Sequence, residues 1–358
     1  MSSGGNSLCI RSIGYASPDY RIEQADALEY VHQHYGEKLT ERSFSLLEQF
    51  FSHPSIERRR FAIDHPSELF EEDPDARMER FTRSAVDLSA RAARSAVERA
   101  DIGRCDLGAI VVNTCTGYVC PGVSNYLLEE LDLSRDIRTY DLVGSGCGGA
   151  VPNLEIAGAM SGESATLSVS VEICSATYQM DDDPALLLSN ALFADGAAAS
   201  VVGAGPPGLE IVASRSLHEP RYRDDIRYVY RKGQLHNQLS VTLPAKSARV
   251  VGRLVEQFLD DCDLDSRQVS YWALHPGGEK VIGRLGDLIG LSGEQLEPTR
   301  RVLREYGNLS SASVWFVLRE ILRNGMQPGD LCMMVAFGAG LSAHVLLLRR
   351  VGDAPVIG

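Results

Sequence analysis

The apolar residues of this chain fall into two alternating textures. The unbroken apolar run at Leu107–Asn113 predicts a strand in the middle of a covered sheet, Ala165–Ile173 reads as a further buried strand, and Leu331–Phe337 and Ala343–Arg350 read as strands. Shorter strands are expected at Leu8–Gly14, Leu209–Arg215 and Tyr271–His275, with the end of a buried strand at Thr139–Val143. Between the strands, apolar residues recur every three or four positions. This spacing predicts helices at Ile22–Tyr35, Leu39–Phe51, Arg77–Ala100, Val123–Leu131, Ala150–Met160, Ala245–Asp261, Gly278–Ile289 and Ser310–Asn324. Ser189–Gly203 reads as a turn at Asp195-Gly196 feeding one more strand, and Ile226–Leu243 as a hairpin. Strands alternating with helices define an α/β chain whose covered sheet carries functional loops at its strand ends.

Punctuation divides this pattern. GAGPPG at Gly203–Gly208 is the natural seam, and the same strand and helix grammar restarts beyond it. Two halves follow, residues 8–205 and 206–350, of a kind that suggests internal duplication. MSSGGNS at the start reads as a disordered lead, Asp64–Asp75 as an acidic irregular stretch, and Thr114–Gly122 as a loop at a strand's carboxyl end. Ile56–Phe61 is a basic run, equally at home on a solvated edge.

Charge and composition then exclude whole classes. A net charge of -13 disfavours nucleic acid and anionic membrane, both of which need clustered positive charge. There is no basic leader and no apolar run of about 18 residues, the length that spans a bilayer. The eight cysteines form no CxxC pair and no Cys/His ligand spacing, so no metal site is expected, and reduced thiols fit a cytoplasmic location.

One cysteine stands apart. In TYDLVGSGCGGAVPNLEIAGAM, Cys147 sits at a strand-to-helix junction among Gly144, Gly146, Gly148 and Gly149, which leave its sulfur uncrowded. Unpaired N–H groups at a helix start favour the thiolate, the form that attacks acyl carbonyls. Two residues of the second half supply what a thiolate needs. His275 ends an apolar strand and is followed by Pro276-Gly277-Gly278, a sharp turn; Asn308 follows Gly307 at a serine-rich helix start. Taken singly, each has an ordinary explanation as a buried small residue, a core histidine or a turn asparagine.

GSGCGGA, HPGG and YGNLSSAS stand in an order and at a spacing that resembles the type III polyketide synthases, the chalcone-synthase-like branch of the thiolase-fold condensing enzymes, from SIGYASP to AFGAGLS. The resemblance implies a thiolase-like fold of two duplicated halves in αβαβα layers, with Cys147, His275 and Asn308 as the catalytic triad. It implies acyl capture on a Cys147 thiolate paired with His275 imidazolium, then decarboxylative condensation with a malonyl thioester, with no metal or redox cofactor. Phe193 matches the aromatic gatekeeper. Cys115, Thr116, Cys120 and Thr177 fall where the family lines its cavity, with Gly277, Gly278, Gly338 and Ala339 in the flanking turns. Cys120 matches a residue that reaches across a homodimer interface, so a homodimer is expected.

Three departures bear on substrate choice. Asn237 stands where plant members carry a second aromatic gatekeeper, on the same period-2 face as Leu235 and Leu239, where a lone amide suits a tunnel wall better than a dry core. LLEQFFSHPS lacks the basic residues that hold CoA phosphates in plant members, leaving Arg58 to Arg60 as the nearest positive cluster, with Arg58 the candidate phosphate ligand. Either CoA is anchored differently or an acyl carrier protein delivers the chain. Ala339 replaces the family's usual proline, predicting a looser cavity floor. The first functional reading is iterative condensation closing to a pyrone or resorcinol-type ring. The second is a single condensation joining two acyl chains, with the donor on a carrier protein. A non-catalytic subunit is the third, and the intact triad argues against it.

Overall fold

In the computed structural model the described residues are 7–205, 207–352 and 356–357; the expected lead, apart from Ser7, and position 206 in the seam lie outside them. The elements in chain order are β1 (Leu8–Ala16), β2 (Tyr20–Glu23), α1 (Gln24–Tyr35), α2 (Glu41–Phe51), β3 (Arg58–Phe61), α3 (Pro74–Ala100), β4 (Leu107–Asn113), α4 (Val123–Glu130), β5 (Arg138–Leu142), α5 (Ala150–Met160), β6 (Ala165–Ile173), α6 (Pro184–Leu192) and β7 (Asp195–Ala204). They continue as β8 (Gly208–His218), β9 (Ile226–Arg231), β10 (Gln234–Leu239), α7 (Leu243–Asp261), β11 (Tyr271–Leu274), α8 (Glu279–Ile289), α9 (Gly293–Tyr306), α10 (Ser313–Arg323), β12 (Leu331–Gly338) and β13 (Ser342–Val351).

Nine strands form one sheet in the order β11-β12-β13-β8-β1-β7-β6-β4-β5. In the first half β1 runs antiparallel to β7, β7 antiparallel to β6, and β6 parallel to β4. In the second half β8, β13, β12 and β11 repeat that order with the same senses. The halves join where β1 meets β8, at Cys9 opposite Glu210 and Ile10 opposite Leu209. At that seam Gly208 has φ +153° and a Cβ there would lie 2.3 Å from the Ile10 carbonyl, so only glycine fits.

Side-chain alternation builds the layers. Met333, Val335 and Phe337 of β12 pack with α7 and α8, whereas Cys332, Met334 and Ala336 face the core that holds α5 and α10. In the first half Ile110 and Val112 of β4 pack with Phe81 and Leu88 of α3 and Leu127 of α4, and Val111 faces α5. The result is α3/α4, sheet, α5/α10, sheet, α7/α8, the αβαβα arrangement of the thiolase-like fold. Nine of the eleven residues of α10 are buried, as befits a helix with sheet on both sides.

Several expectations are corrected. β5 is an exposed edge strand rather than a buried one, because it ends the sheet order. Ile22 belongs to β2, which pairs with β3 out of the basic run. Ser189–Leu192 closes α6, whose start is capped by Asp183 with Pro184 in its first turn. α9 went unread because its apolar stripe is thin (Leu296, Val302 and Leu303) and Pro298 stands inside it, where a proline gives up a backbone hydrogen bond. The hairpin ends at Leu239, leaving Val241 almost fully exposed.

Candidate active site

Three glycine-flanked turns converge at the carboxyl ends of the strands. Cys147 lies in the 3-10 turn Gly146–Gly148 between β5 and α5. The turn needs Gly144 at φ +92° and Gly146 at φ +55°, conformations that burden any residue with a Cβ. Its back rests on the end of β12, where a Cβ on Gly338 would sit 2.9 Å from the Cys147 nitrogen. His275 follows β11, the parallel neighbour of β12, and its N–H donates to the Val335 carbonyl at 2.8 Å. Its ring packs edge-on against Phe337 at 5.1 Å, one residue before Gly338. The dipeptide Phe337-Gly338 therefore touches both the histidine ring and the cysteine backbone. Gly277 is held tight as well, since a Cβ there would lie 2.6 Å from the Phe337 ring, and Gly278 adopts φ +118°.

Asn308 enters from the turn after α9. Its N–H donates to Leu192 O and its carbonyl accepts from Ala194 N, both at 2.9 Å, an isolated bridge to Phe193. Its Oδ1 accepts from Ser310 N at 2.8 Å and Ser313 Oγ at 3.3 Å, which fixes the amide's orientation and leaves its NH2 as the donating end. Ser310, at the left-handed φ of +51°, holds its hydroxyl 3.2 Å from Cys147 Sγ and 3.3 Å from Cys115 Sγ. Such strain outside glycine persists where surroundings enforce it. Cys147, Ser310 and Asn308 are thus joined by consecutive hydrogen bonds.

Burial weighs on the charged forms of both groups. Burial pushes the Cys147 thiol up to about 12, opposed by the Ser310 hydrogen bond and reinforced by the charge of Glu172. Burial likewise pushes His275 down to about 3, and its Nδ1 has no partner. Desolvation thus works against both the thiolate and the imidazolium, and the Ser310 hydrogen bond works for the thiolate. Glu172 is fully buried beneath the loop after β4, accepting from Ser311 Oγ (2.5 Å), Cys115 N and Thr116 Oγ1 (both 3.0 Å). Burial raises its pKa and those donors oppose the rise.

A cavity of about 30 Å³ opens beside the sulfur, and Cys115, Cys147, Phe193, Asn237, Ser310 and Ala339 are among its lining residues. Thr116 and Thr177 line a neighbouring cavity under β10. Cys120 is exposed, away from these cavities. Arg58 is also elsewhere, ion-paired with Glu23, Glu57 and Glu305. Three residues escaped the sequence reading. Ser310 lay within a recognised motif, but its backbone twist is invisible in sequence. Tyr228 lines the cavity from the polar-looking strand β9. Arg59 is buried by strand alternation in β3, and its guanidinium donates to Gln24 Oε1 (2.9 Å), Asn190 O (2.6 Å) and Phe193 O (2.8 Å), fixing the backbone around Phe193. Among the described residues no group of three or more His, Cys, Asp or Glu is placed to hold a metal, and no helix is long and apolar enough to cross a membrane.

A thiol, an imidazole and a carboxamide at the junction of two duplicated α/β halves define a thiolase-fold condensing enzyme. Residues 14–207 match the profile of the FAE1/type III polyketide synthase-like proteins, and residues 217–352 that of the C-terminal domain of chalcone and stilbene synthases. The chain belongs to the type III polyketide synthase family. It is 30% identical to a 3,5-dihydroxyphenylacetyl-CoA synthase of Streptomyces toyocaensis over 84% of this chain and 81% of that one. Its fold matches the crystal structure of PKS-I from the brown alga Ectocarpus siliculosus (TM-score 0.88, 27% identity, 98% of this chain and 100% of that one). It also matches the fold of 1,3,6,8-tetrahydroxynaphthalene synthase from Streptomyces coelicolor (TM-score 0.88, 23% identity, 97% and 100%). The protein is accordingly an acyltransferase that forms carbon–carbon bonds by decarboxylative condensation, and the single joining of two acyl chains is not favoured.

Proposed function

We propose that Cys147 captures an acyl group, that malonyl-CoA supplies the extending units, and that the chain closes to a pyrone or resorcinol-type ring. The observation that carries this reading is the hydrogen-bonded line Asn308–Ser310–Cys147 beside the cavity. His275, neutral at rest, takes the Cys147 proton as the sulfur attacks the incoming thioester. Creating both charges together, in a site where they attract strongly, makes the transfer affordable. The CoA thiol leaves and the acyl group stays on Cys147. A malonyl thioester then binds with its carbonyl oxygen toward the Asn308 NH2 and the His275 N–H. Loss of CO2 places negative charge on that oxygen, where one such donor is worth roughly 3 kcal/mol of barrier. The carbanion attacks the acyl-cysteine and frees the sulfur for recapture of the longer chain.

In this reading residues 8–205 supply the nucleophile and residues 206–350 the imidazole and carboxamide. CoA is a substrate carrier, and with Arg58 neutralised by three carboxylates its phosphates need another anchor. An acyl carrier protein remains the alternative donor. A cytoplasmic homodimer, with Cys120 at the interface, completes the proposal. The test is incubation with malonyl-CoA and a series of acyl-CoAs: CO2 release and a pyrone or resorcinol product, both lost in Cys147→Ala, support it. Product formation by Cys147→Ala, or none by the wild type from any donor, overturns it.

A further inference from the structure

Asn113 closes the apolar run of β4 and is buried where that strand ends. Its carboxamide lies between two turns that come from different halves of the chain. On one side it underlies the Cys147 turn: a Cβ on Gly149 would sit 2.8 Å from Asn113 Nδ2, and the Gly149 N–H closes that turn by donating to Gly146 O at 3.0 Å. On the other side Asn113 Nδ2 donates to Ser311 Oγ at 2.8 Å, across 198 positions of sequence. Ser311 follows the residue whose hydroxyl touches the sulfur. Neighbours fix which way the amide points. Asn153 of α5 donates through its Nδ2 to the Val169 carbonyl and to Asn113 Oδ1, both at 2.8 Å, and Ser170 Oγ donates to the same Asn113 oxygen at 2.7 Å. The nitrogen is therefore left facing Ser311. Ser311 Oγ, having accepted that N–H, gives its own proton to Glu172 Oε1 at 2.5 Å.

Ser310 has a left-handed backbone that its surroundings must enforce. The bond from Asn113 to the next residue is such a restraint, and it starts from directly beneath the Cys147 turn. We propose that Asn113 is a positioning residue of this site: its carboxamide locks the Cys147 turn to the Ser310–Ser311 turn, and so holds at the sulfur both the Ser310 hydroxyl and the Asn308 amide that is bonded to Ser310 N. It acts through these neighbours and not on substrate, since it lines neither the cavity at the sulfur nor the one under β10. The inference rests on Cys147 being the acyl acceptor. A side chain of the same bulk without the carboxamide fills the space but leaves the Ser311 turn unheld. Ser311 keeps its own proton for Glu172 in either case, so losing the Asn113 bond changes the geometry at the sulfur without removing a charge.

Alkylation of Cys147 by iodoacetamide reads this geometry without turnover, and urea unfolding reads stability separately. Asn113→Leu keeps the bulk and removes every hydrogen bond. Asn113→Thr suits a strand and is too short to reach Ser311, and it serves where the leucine variant fails to fold. Ser170→Ala is the control: it removes a bond to the far side of the same carboxamide, whose oxygen keeps Asn153. Both Asn113 variants should alkylate about tenfold more slowly, the worth of one hydrogen bond to a thiolate, and should lower kcat for condensation with the KM for malonyl-CoA held within about twofold. In a Ser310→Ala background the Asn113 substitution should slow alkylation no further, because the hydroxyl it positions is gone. Ser170→Ala should lose stability and keep the wild-type alkylation rate. A folded Asn113 variant that alkylates at the wild-type rate overturns the proposal. So does an undiminished Asn113 effect in the Ser310→Ala background, or a Ser170→Ala rate that falls as far as those of the Asn113 variants. A wild type that forms no condensation product overturns the acceptor role itself, while the alkylation rates still report the brace.

Discussion

Replacing Ser310 by alanine removes the hydroxyl that donates to Cys147 Sγ at 3.2 Å, and nothing else that touches the sulfur. A hydrogen bond to a charged group is worth roughly 1.5–3 kcal/mol, which corresponds to about one to two pKa units. The donor stabilises the thiolate, so its loss raises a thiol pKa that already stands at about 12. Below the pKa the thiolate fraction drops tenfold for every unit, so the change appears in full at ordinary pH. Ser310→Ala should therefore slow alkylation of Cys147 by iodoacetamide about ten- to hundredfold between about pH 7 and 10, followed by intact mass with peptide mapping. The wild-type rate itself should keep rising across that range, because burial holds the thiol pKa above it. An unchanged or faster rate in Ser310→Ala, or a wild-type profile flat above pH 6, would refute the reasoning.

Other outcomes follow from the same site. Glu172→Gln should speed Cys147 alkylation, since the carboxylate's charge raises the thiol pKa; a slower rate would assign Glu172 a different role. Asn308→Ala loses both the donor to the enolate oxygen and the acceptor for Ser310 N, and its condensation rate should fall about 10²–10³-fold, read as product per enzyme with the amount of Cys147 adduct as internal reference. Gly338→Ala places a methyl 2.4 Å from Gly148 N and Ser145 O, and should cost roughly 1–3 kcal/mol in denaturant unfolding. Acid should destabilise the fold through His344, which burial holds down at about 4 while its Nδ1 meets Ser216 Oγ at 2.7 Å. A folded pKa below the unfolded value means stability present above about pH 6.5 and lost as pH falls toward 4, roughly 3 kcal/mol in all. Thermal unfolding of His344→Gln should show a shallower acid limb than the wild type.

The legible parts of the sequence were those where one local rule governs the residue. The doubly covered strand β4 declared itself by an unbroken apolar run, and Cys147, His275 and Asn308 drew attention by the glycines that turn the chain around them. What stayed hidden depends on partners distant in sequence. β5 reads as buried because it leads into the glycine turn that carries Cys147, and only its place at the sheet edge exposes it. Arg59 looks like surface charge until β2 and β3 pair and send alternate arginines inward. Ser310 reaches the sulfur through a left-handed backbone that no composition signals. The forces on the thiol were only half legible for a related reason: a helix start is local and visible, whereas desolvation by a whole core is neither.

The central claim is that one sulfur carries the growing chain. Brief incubation of the wild type with radiolabelled acetyl-CoA, acid quench and peptide mapping by mass spectrometry tests it most directly. The account predicts one labelled acyl group per chain, on the peptide containing Cys147, chased into product by malonyl-CoA. Label on Cys115 instead, or label on Cys147 that malonyl-CoA does not release, would contradict it.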